Sequence, residues 1–229
     1  MLFFTDPTRT PSPERTMARL PRGAGVVFRA FGRPEALSQG MALRRLARDR
    51  GLTFLVGGDA RLARALRADG LHLPERGVPA RVDHGPWPRG FLITAAAHSL
   101  PAVRRAARAG VNAVVVSAVF PSASPSAKRP IGPMTLAAWT RAAGCPVYAL
   151  GGVDQRTAKR LMLTGAKGFA AIDGFTGSGA CSYSTVIPHG VERSATEMRD
   201  PAARSPERPD RVPHLHSAPL RFVRDDGER

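Results

Sequence analysis

The stretch Arg108-Ala-Gly-Val-Asn-Ala-Val-Val-Val116 returns later in the chain as Leu163-Thr-Gly-Ala-Lys-Gly-Phe-Ala-Ala-Ile172, and a looser copy begins at Arg67-Ala-Asp-Gly70. Each copy reads as the end of a helix, a glycine that stops it, a short turn and an apolar run. Glycine just past a helix supplies the left-handed backbone that ends it. A short unbroken apolar run between turn signals is the pattern of a strand covered on both faces. Repetition of helix, glycine and strand therefore points to parallel strands joined by crossover helices.

Working outward, eight such runs are found: Leu2–Thr5, Gly25–Phe31, Thr53–Val56, Gly70–Leu73, Phe91–Ala96, Asn112–Val116, Pro146–Leu150 and Gly168–Ile172. Helical spacing lies between several of them. Ala36, Leu37, Gly40, Met41, Leu43, Leu46 and Ala47 form one apolar stripe, with arginines on the opposite side. Asp59, Ser99 and Asp154 each stand where an N-cap is needed, and Pro101 sits just inside the helix that Ser99 opens. The helix begun by Asp154 covers Thr157–Leu163 and stops at Gly165. Pro74–Arg89 is rich in proline and glycine, so its crossover helix is short or missing. The expected fold is a compact α/β (β/α)₈ TIM barrel over residues 1–175, with an open doubly wound sheet as the alternative. Residues 176–229 are rich in Pro, Ser, Arg and Asp, with Leu220–Val223 as their compact apolar patch. Such a segment buries too little to offset its chain entropy and is expected to be a disordered C-terminal tail. No closing helix follows the eighth strand, which leaves an open seam or a divergent end as readings.

The 229 residues carry a formal charge of +16, yet only three of the 34 basic residues are lysines: Lys128, Lys159 and Lys167. From Thr176 onward eight basic residues face eight acidic ones, so the excess lies in residues 1–175. There the arginines recur within helical patterns, as in Arg44, Arg45 and Arg48, without interleaved aromatics. That arrangement reads as solvated helix faces and not as a nucleic-acid surface. No run is long enough to span a bilayer. The N-terminus lacks the basic and apolar regions of a secretory signal. Cys145 and Cys181 form no metal or disulfide spacing, so a cytoplasmic, reducing setting is expected.

In parallel α/β folds chemistry gathers at the C-terminal strand ends. Gly151-Gly152 follows the seventh strand, where bare backbone N–H groups can approach a phosphate. The loop Phe120–Gly132 offers Ser122, Ser124 and Ser126 with two cations, Lys128 and Arg129, able to neutralise a diphosphate on closure. Arg29 lies inside a strand, so an anion or a carboxylate must meet it. His98 either orients substrate or serves the adjoining cap, and His72, whose inward or outward direction strand alternation leaves undecided, reads as a structural histidine. Asp59 and Asp69 alone do not make a metal centre.

Taken in order, Leu2-Phe-Phe-Thr-Asp-Pro7, Ala68-Asp-Gly-Leu-His-Leu73, His98-Ser99, Val115-Val-Ser-Ala-Val-Phe-Pro-Ser-Ala-Ser124, Pro146-Val-Tyr-Ala-Leu-Gly-Gly-Val153 and Gly165-Ala-Lys-Gly-Phe-Ala-Ala-Ile172 form a specific set. With it the chain resembles the thiamine phosphate synthase family, which includes the related thiazole tautomerases. The resemblance runs from Met1 to about Phe175. It implies a (β/α)₈ barrel that couples a hydroxymethylpyrimidine diphosphate to a thiazole phosphate, with Mg²⁺ on the leaving diphosphate. By position, Arg29 would meet the diphosphate or pyrimidine, and Ser122 and Ser124 a phosphate. Gly151, Gly152 and Ile172 would hold the thiazole phosphate, and Lys128 and Arg129 would close over the diphosphate. Asp59 and Glu75 are the best available Mg²⁺ carboxylates. Several positions depart from the family pattern. Val27 and Phe31 replace a glutamine and a lysine flanking Arg29, and Gly57-Gly58 replaces an Asn-Asp pair, with Asp59 shifted by one. Pro125 stands for a loop lysine, Ala118 for the tautomerase histidine, and Asp173 for a serine at the last strand end. Asp173 would repel a phosphate unless a cation intervenes. The second reading is therefore a non-catalytic binder of a phosphorylated heterocycle on the same barrel.

Overall fold

The computed structural model describes residues 1–85, 87–122, 124 and 129–174. Ser126, Lys128 and the expected tail lie outside the described residues. The elements run β1 (Leu2–Phe4), α1 (Pro13–Met17), β2 (Gly25–Phe28), α2 (Ala36–Arg50), β3 (Thr53–Gly57), α3 (Ala60–Ala65), β4 (Gly70–Leu73) and β5 (Leu92–Ala97). They continue as α4 (Leu100–Arg108), β6 (Ala113–Val116), α5 (Gly132–Ala143), β7 (Val147–Leu150), α6 (Gln155–Ala158) and β8 (Gly168–Ala171). All eight strands are parallel and close in sequence order into one barrel. The seam is shut by β1, which pairs Leu2 with Gly25 on one side and with Ala170 on the other. The open-sheet and open-seam readings are thereby corrected.

Strand alternation divides the apolar residues between two compartments. Phe4, Val27, Leu55, Val115 and Ala170 pack inside the barrel. Their neighbours Phe3, Val26, Phe28, Phe54, Val114 and Val116 face outward into the layer beneath the helices. With both faces covered, the strands need no polar alternation. Glycine at position 40 of α2 lets this helix lie close to the barrel. A Cβ there would stand 2.5 Å from Leu66 Cδ1 and 3.1 Å from Phe28 Cε1.

The three expected N-caps form. Asp59 accepts from Leu62 N at 2.9 Å, Ser99 from Ala102 N at 3.3 Å, and Asp154 from both Arg156 N and Thr157 N at 2.8 Å. The helix expected over Thr157–Leu163 is instead split into α6 and a 3₁₀ turn, Lys159–Leu161, leaving Leu163 exposed. Among the described residues between β4 and β5 the helical element is a 3₁₀ turn, Glu75–Gly77. The second strand ends at Phe28 and not at Phe31, because Arg29 N donates to the Thr5 side chain at 3.0 Å instead of extending the ladder. No helix among the described residues is long and apolar enough to cross a membrane.

Asp69 belongs to this framework and not to a metal site. Its carboxylate takes both Arg44 guanidinium nitrogens, at 2.7 and 2.8 Å, and Phe54 N at 2.8 Å. It thus ties α2 to the starts of β3 and β4. Bonds to a charged partner contribute about 1.5–3 kcal/mol each, less where water screens them. Asp69→Ala is expected to lower unfolding stability by about 2–3 kcal/mol, measured by denaturant titration. An unchanged midpoint would show that this tie carries no weight.

Candidate functional site

Parallel strands deliver their C-terminal ends to one mouth, and there a cavity of about 760 Å³ opens. Its floor is aromatic. Phe4 and His72 meet edge to face, with ring centroids 5.0 Å apart. Register places His72 inward, opposite Thr94 on β5, whose hydroxyl lies 2.9 Å from Nδ1. The ring is only 7% exposed yet lines the cavity. Burial, helped by the nearby Arg29 charge, lowers its pKa from 6.5 to about 4. At neutral pH the floor is therefore an uncharged imidazole.

Charge is gathered where β1, β2 and β8 meet. Arg29 donates through Nε to Thr5 O at 2.8 Å and through Nη2 to Asp6 Oδ2 at 3.1 Å. Its guanidinium lies between the Phe4 and Phe31 rings, 5.7 and 5.1 Å from their centroids. Phe31 itself is 64% exposed at the cavity mouth, with φ +50°. The other oxygen of Asp6 accepts from Thr8 Oγ1 at 2.7 Å and from the Thr8 and Arg9 amides at 3.1 Å. Burial would raise the Asp6 pKa, but these bonds and the Arg29 charge outweigh it and hold the carboxyl below its ordinary value. The loop so folded carries Arg9 to β8, where its guanidinium pairs with Asp173. Both members of that pair line the cavity.

On the β3–β5 side, Asp59 and His98 line the cavity and Glu75 does not. Glu75 Oε2 accepts from His98 N at 2.7 Å and lies 2.7 Å from His98 Nδ1. Burial would raise Glu75, but the two His98 contacts and the Arg105 charge bring it below its usual value. Glu75 thus stands outside the cavity lining, with Oε2 held by His98 and Oε1 3.9 Å from Arg105 Nη2. Asp59 keeps Oδ2 without a partner among the described residues, since its cap uses Oδ1. No group of three or more metal-ligating side chains occurs among the described residues.

On the β6–β8 side the lining includes Ser122, Ser124, Gly151, Gly152 and Ile172. Arg129 is exposed and stands apart from the lining, and Lys128 lies outside the described residues. The turn after β7 is wedged against the turn after β6. Val119 N donates to Leu150 O at 2.9 Å, and Phe120 N to Gly151 O at 3.0 Å. Gly152 has φ +61°, and a Cβ on it would fall 2.2 Å from Pro121 O. Sterics alone thus demand glycine here, and an aspartate at this position would clash before its charge mattered. The Gly151, Gly152 and Val153 amides donate to no described residue, and consecutive amides of that kind can receive an anion.

The model of the thiamine monophosphate synthase family matches residues 3–175. The chain belongs to this family. A thiamine biosynthesis bifunctional protein of Geobacter sulfurreducens is 32% identical over 161 residues, covering 69% of this chain and 33% of that protein. A thiamine-phosphate synthase of Methylococcus capsulatus is 34% identical, covering 68% of this chain and 71% of the relative. Two further relatives are spanned over only 61% and 62% of their lengths. Among solved structures, a thiamine phosphate pyrophosphorylase from Pyrococcus furiosus superposes with a TM-score of 0.65 at 28% identity, covering 75% of this chain and 84% of that one. The family resemblance read from the short motifs holds.

Within this family member, sequence reasoning missed three lining residues: Arg9, Phe31 and the inward His72. Asp173 gave the available signal for Arg9, since an acid at that strand end called for a cation. The His72 environment has a measurable consequence. From pH 6.5 down to about 4 the unfolded chain binds a proton at this side chain that the folded chain refuses. Its contribution is full above pH 6.5 and is lost progressively towards pH 4, on the order of 3 kcal/mol in total. Equilibrium unfolding across that window should show this slope in the wild type and a flatter one in His72→Gln. Equal slopes would mean that His72 is not buried neutral.

Proposed function

We propose that this barrel joins a hydroxymethylpyrimidine diphosphate to a thiazole phosphate, giving thiamine phosphate and diphosphate. The observation that carries the reading is the group of unengaged Gly151–Val153 amides in a cavity of the family's barrel, beside Ile172. Those amides suit the phosphate of the thiazole partner. Ser122 and Ser124 on the facing loop suit the same or the second phosphate, with Lys128 and Arg129 as the loop's cations. The neutral His72 floor with Phe4 and Phe31 suits planar rings, and His98 stands at the rim where Glu75 fixes its orientation. Arg29, already paired with Asp6, would stabilise charge as the bond from the pyrimidine methylene carbon to the diphosphate oxygen breaks and the thiazole nitrogen attacks that carbon.

The family implies Mg²⁺, and the donors present fit it in one form. Magnesium is commonly bound by one or two carboxylates together with substrate phosphates. Asp59 offers Oδ2 at the cavity and would hold the ion jointly with ligand oxygens; Glu75, committed to His98, would not. Bound there, Mg²⁺ would offset the charge of the leaving diphosphate.

A second reading, a binder without turnover, is favoured by the Asp6–Arg29 pair together with Val27 and Phe31 where the family has polar residues. The two readings separate in one assay. Purified protein given both substrates should form thiamine phosphate only with Mg²⁺. Asp59→Asn, which retains an N-cap oxygen, should cut the rate on the order of 10-fold or more without loss of folding stability. Thiazole phosphate binding without product would establish the binder. Mg²⁺-independent product would remove Asp59 from the metal site.

A further inference from the structure

An acidic side chain in a phosphate-binding mouth is a liability unless something redirects its charge. Asp173 lies two residues past the end of β8 and lines the cavity with Ile172 and Gly174, and a Cβ on Gly174 would stand 2.5 Å from Val153 O, in the turn that carries the Gly151–Val153 amides. A dianionic phosphate at those amides would meet a like charge. The structure supplies the cation. Arg9 reaches across the seam from the β1 loop and pairs with Asp173.

Arg9 does not arrive there by chance of a long side chain. Its own amide is bonded to Asp6 Oδ1 at 3.1 Å, and Asp6 N and O are bonded to Thr10 Oγ1 and Thr10 N, each at 2.8 Å. The turn is therefore fixed on both sides of Arg9, and Asp6 is itself anchored by Arg29. The guanidinium retains five donors in a planar fork. One is used by Asp173, so others remain for a second anion. A carboxylate that occupies an arginine in the empty site and shares it in the filled site both positions the cation and competes for it.

We propose that Arg9 is a phosphate-binding residue of this site, positioned by Asp173, which gives up part of the guanidinium when a phosphorylated ligand enters. The proposal rests on the reading that phosphate sits at the Gly151–Val153 amides. It predicts opposite signs for two substitutions in one ion pair. Losing Arg9 removes a ligand-facing cation and weakens the offset to the Asp173 charge, which Arg29 then shares alone among the cavity arginines. Losing Asp173 releases Arg9 for the ligand. An ion pair that serves only to latch the β1 loop onto β8 would behave otherwise, since either loss would break the same latch and weaken binding in the same direction.

The test is calorimetric titration of the full chain with thiazole phosphate and with inorganic phosphate, in wild type, Arg9→Gln, Arg9→Lys, Asp173→Ser and the double variant Arg9→Gln/Asp173→Ser. Arg9→Gln should weaken thiazole phosphate binding on the order of 10-fold or more, and Arg9→Lys should recover part of that loss. Asp173→Ser should tighten binding by a few-fold. The double variant should fall between Arg9→Gln and wild type, because the acidic side chain is gone as well. Thermal unfolding of each variant checks that it is folded. Losses of similar size in Arg9→Gln and Asp173→Ser, or no change in Arg9→Gln, would overturn the proposal while wild-type binding upholds the phosphate site. Absence of binding by the wild type and every variant would overturn the phosphate reading and this inference together.

Discussion

Closure of β1 onto β8 is the constraint from which the rest of the molecule follows. A parallel sheet left open would present unpaired backbone groups at two edges. Pairing Leu2 with both Gly25 and Ala170 removes those edges and encloses Phe4, Val27, Leu55 and Val115 in one apolar cluster within the barrel. It also brings the loop after β1 beside the end of β8, although Arg9 and Asp173 are 164 positions apart in the chain. The charged corner of the cavity exists only because the barrel is shut.

That corner shows how an electrostatic surplus is managed. The chain carries a large excess of arginine, but the two that line the cavity, Arg9 and Arg29, are each matched with an aspartate. Asp6 sits in a turn held by the Thr10 amide and hydroxyl, so its charge is fixed by more than the side-chain pair alone. The cavity therefore offers oriented donors, while its floor remains neutral through the desolvation of His72. Elsewhere the arginines lie largely on helix faces, and Arg44 serves the framework through Asp69.

Much of the barrel was legible because its signals are local. The helix–glycine–strand repeats, the caps at Asp59, Ser99 and Asp154, and the apolar strand runs all act over a few residues. Strand ends were less legible, since Arg29 leaves its ladder for the Thr5 hydroxyl just past the end of β1. The site was legible where it depends on backbone, as at Gly151 and Gly152, and where a family motif marks it. It was obscure where a side chain's role is set by a distant partner. Glu75 offers the right chemistry for a metal, yet the His98 amide and ring claim it. Nothing local at Arg9 indicates its engagement with Asp173, and strand alternation alone did not give the inward direction of His72.

The turns after β6 and β7 brace each other, and the braces sit at the feet of an excursion. Val119 N and Phe120 N hold one foot to Leu150 O and Gly151 O, while Ile131 N and Gly132 N hold the other to Ala118 O and Val119 O, at 2.9–3.0 Å. A chain segment whose ends are pinned can change in length at small entropic cost, roughly 0.6 kcal/mol for each doubling. The serine-bearing loop between these feet can therefore be lengthened, shortened or recomposed without passing strain to the barrel.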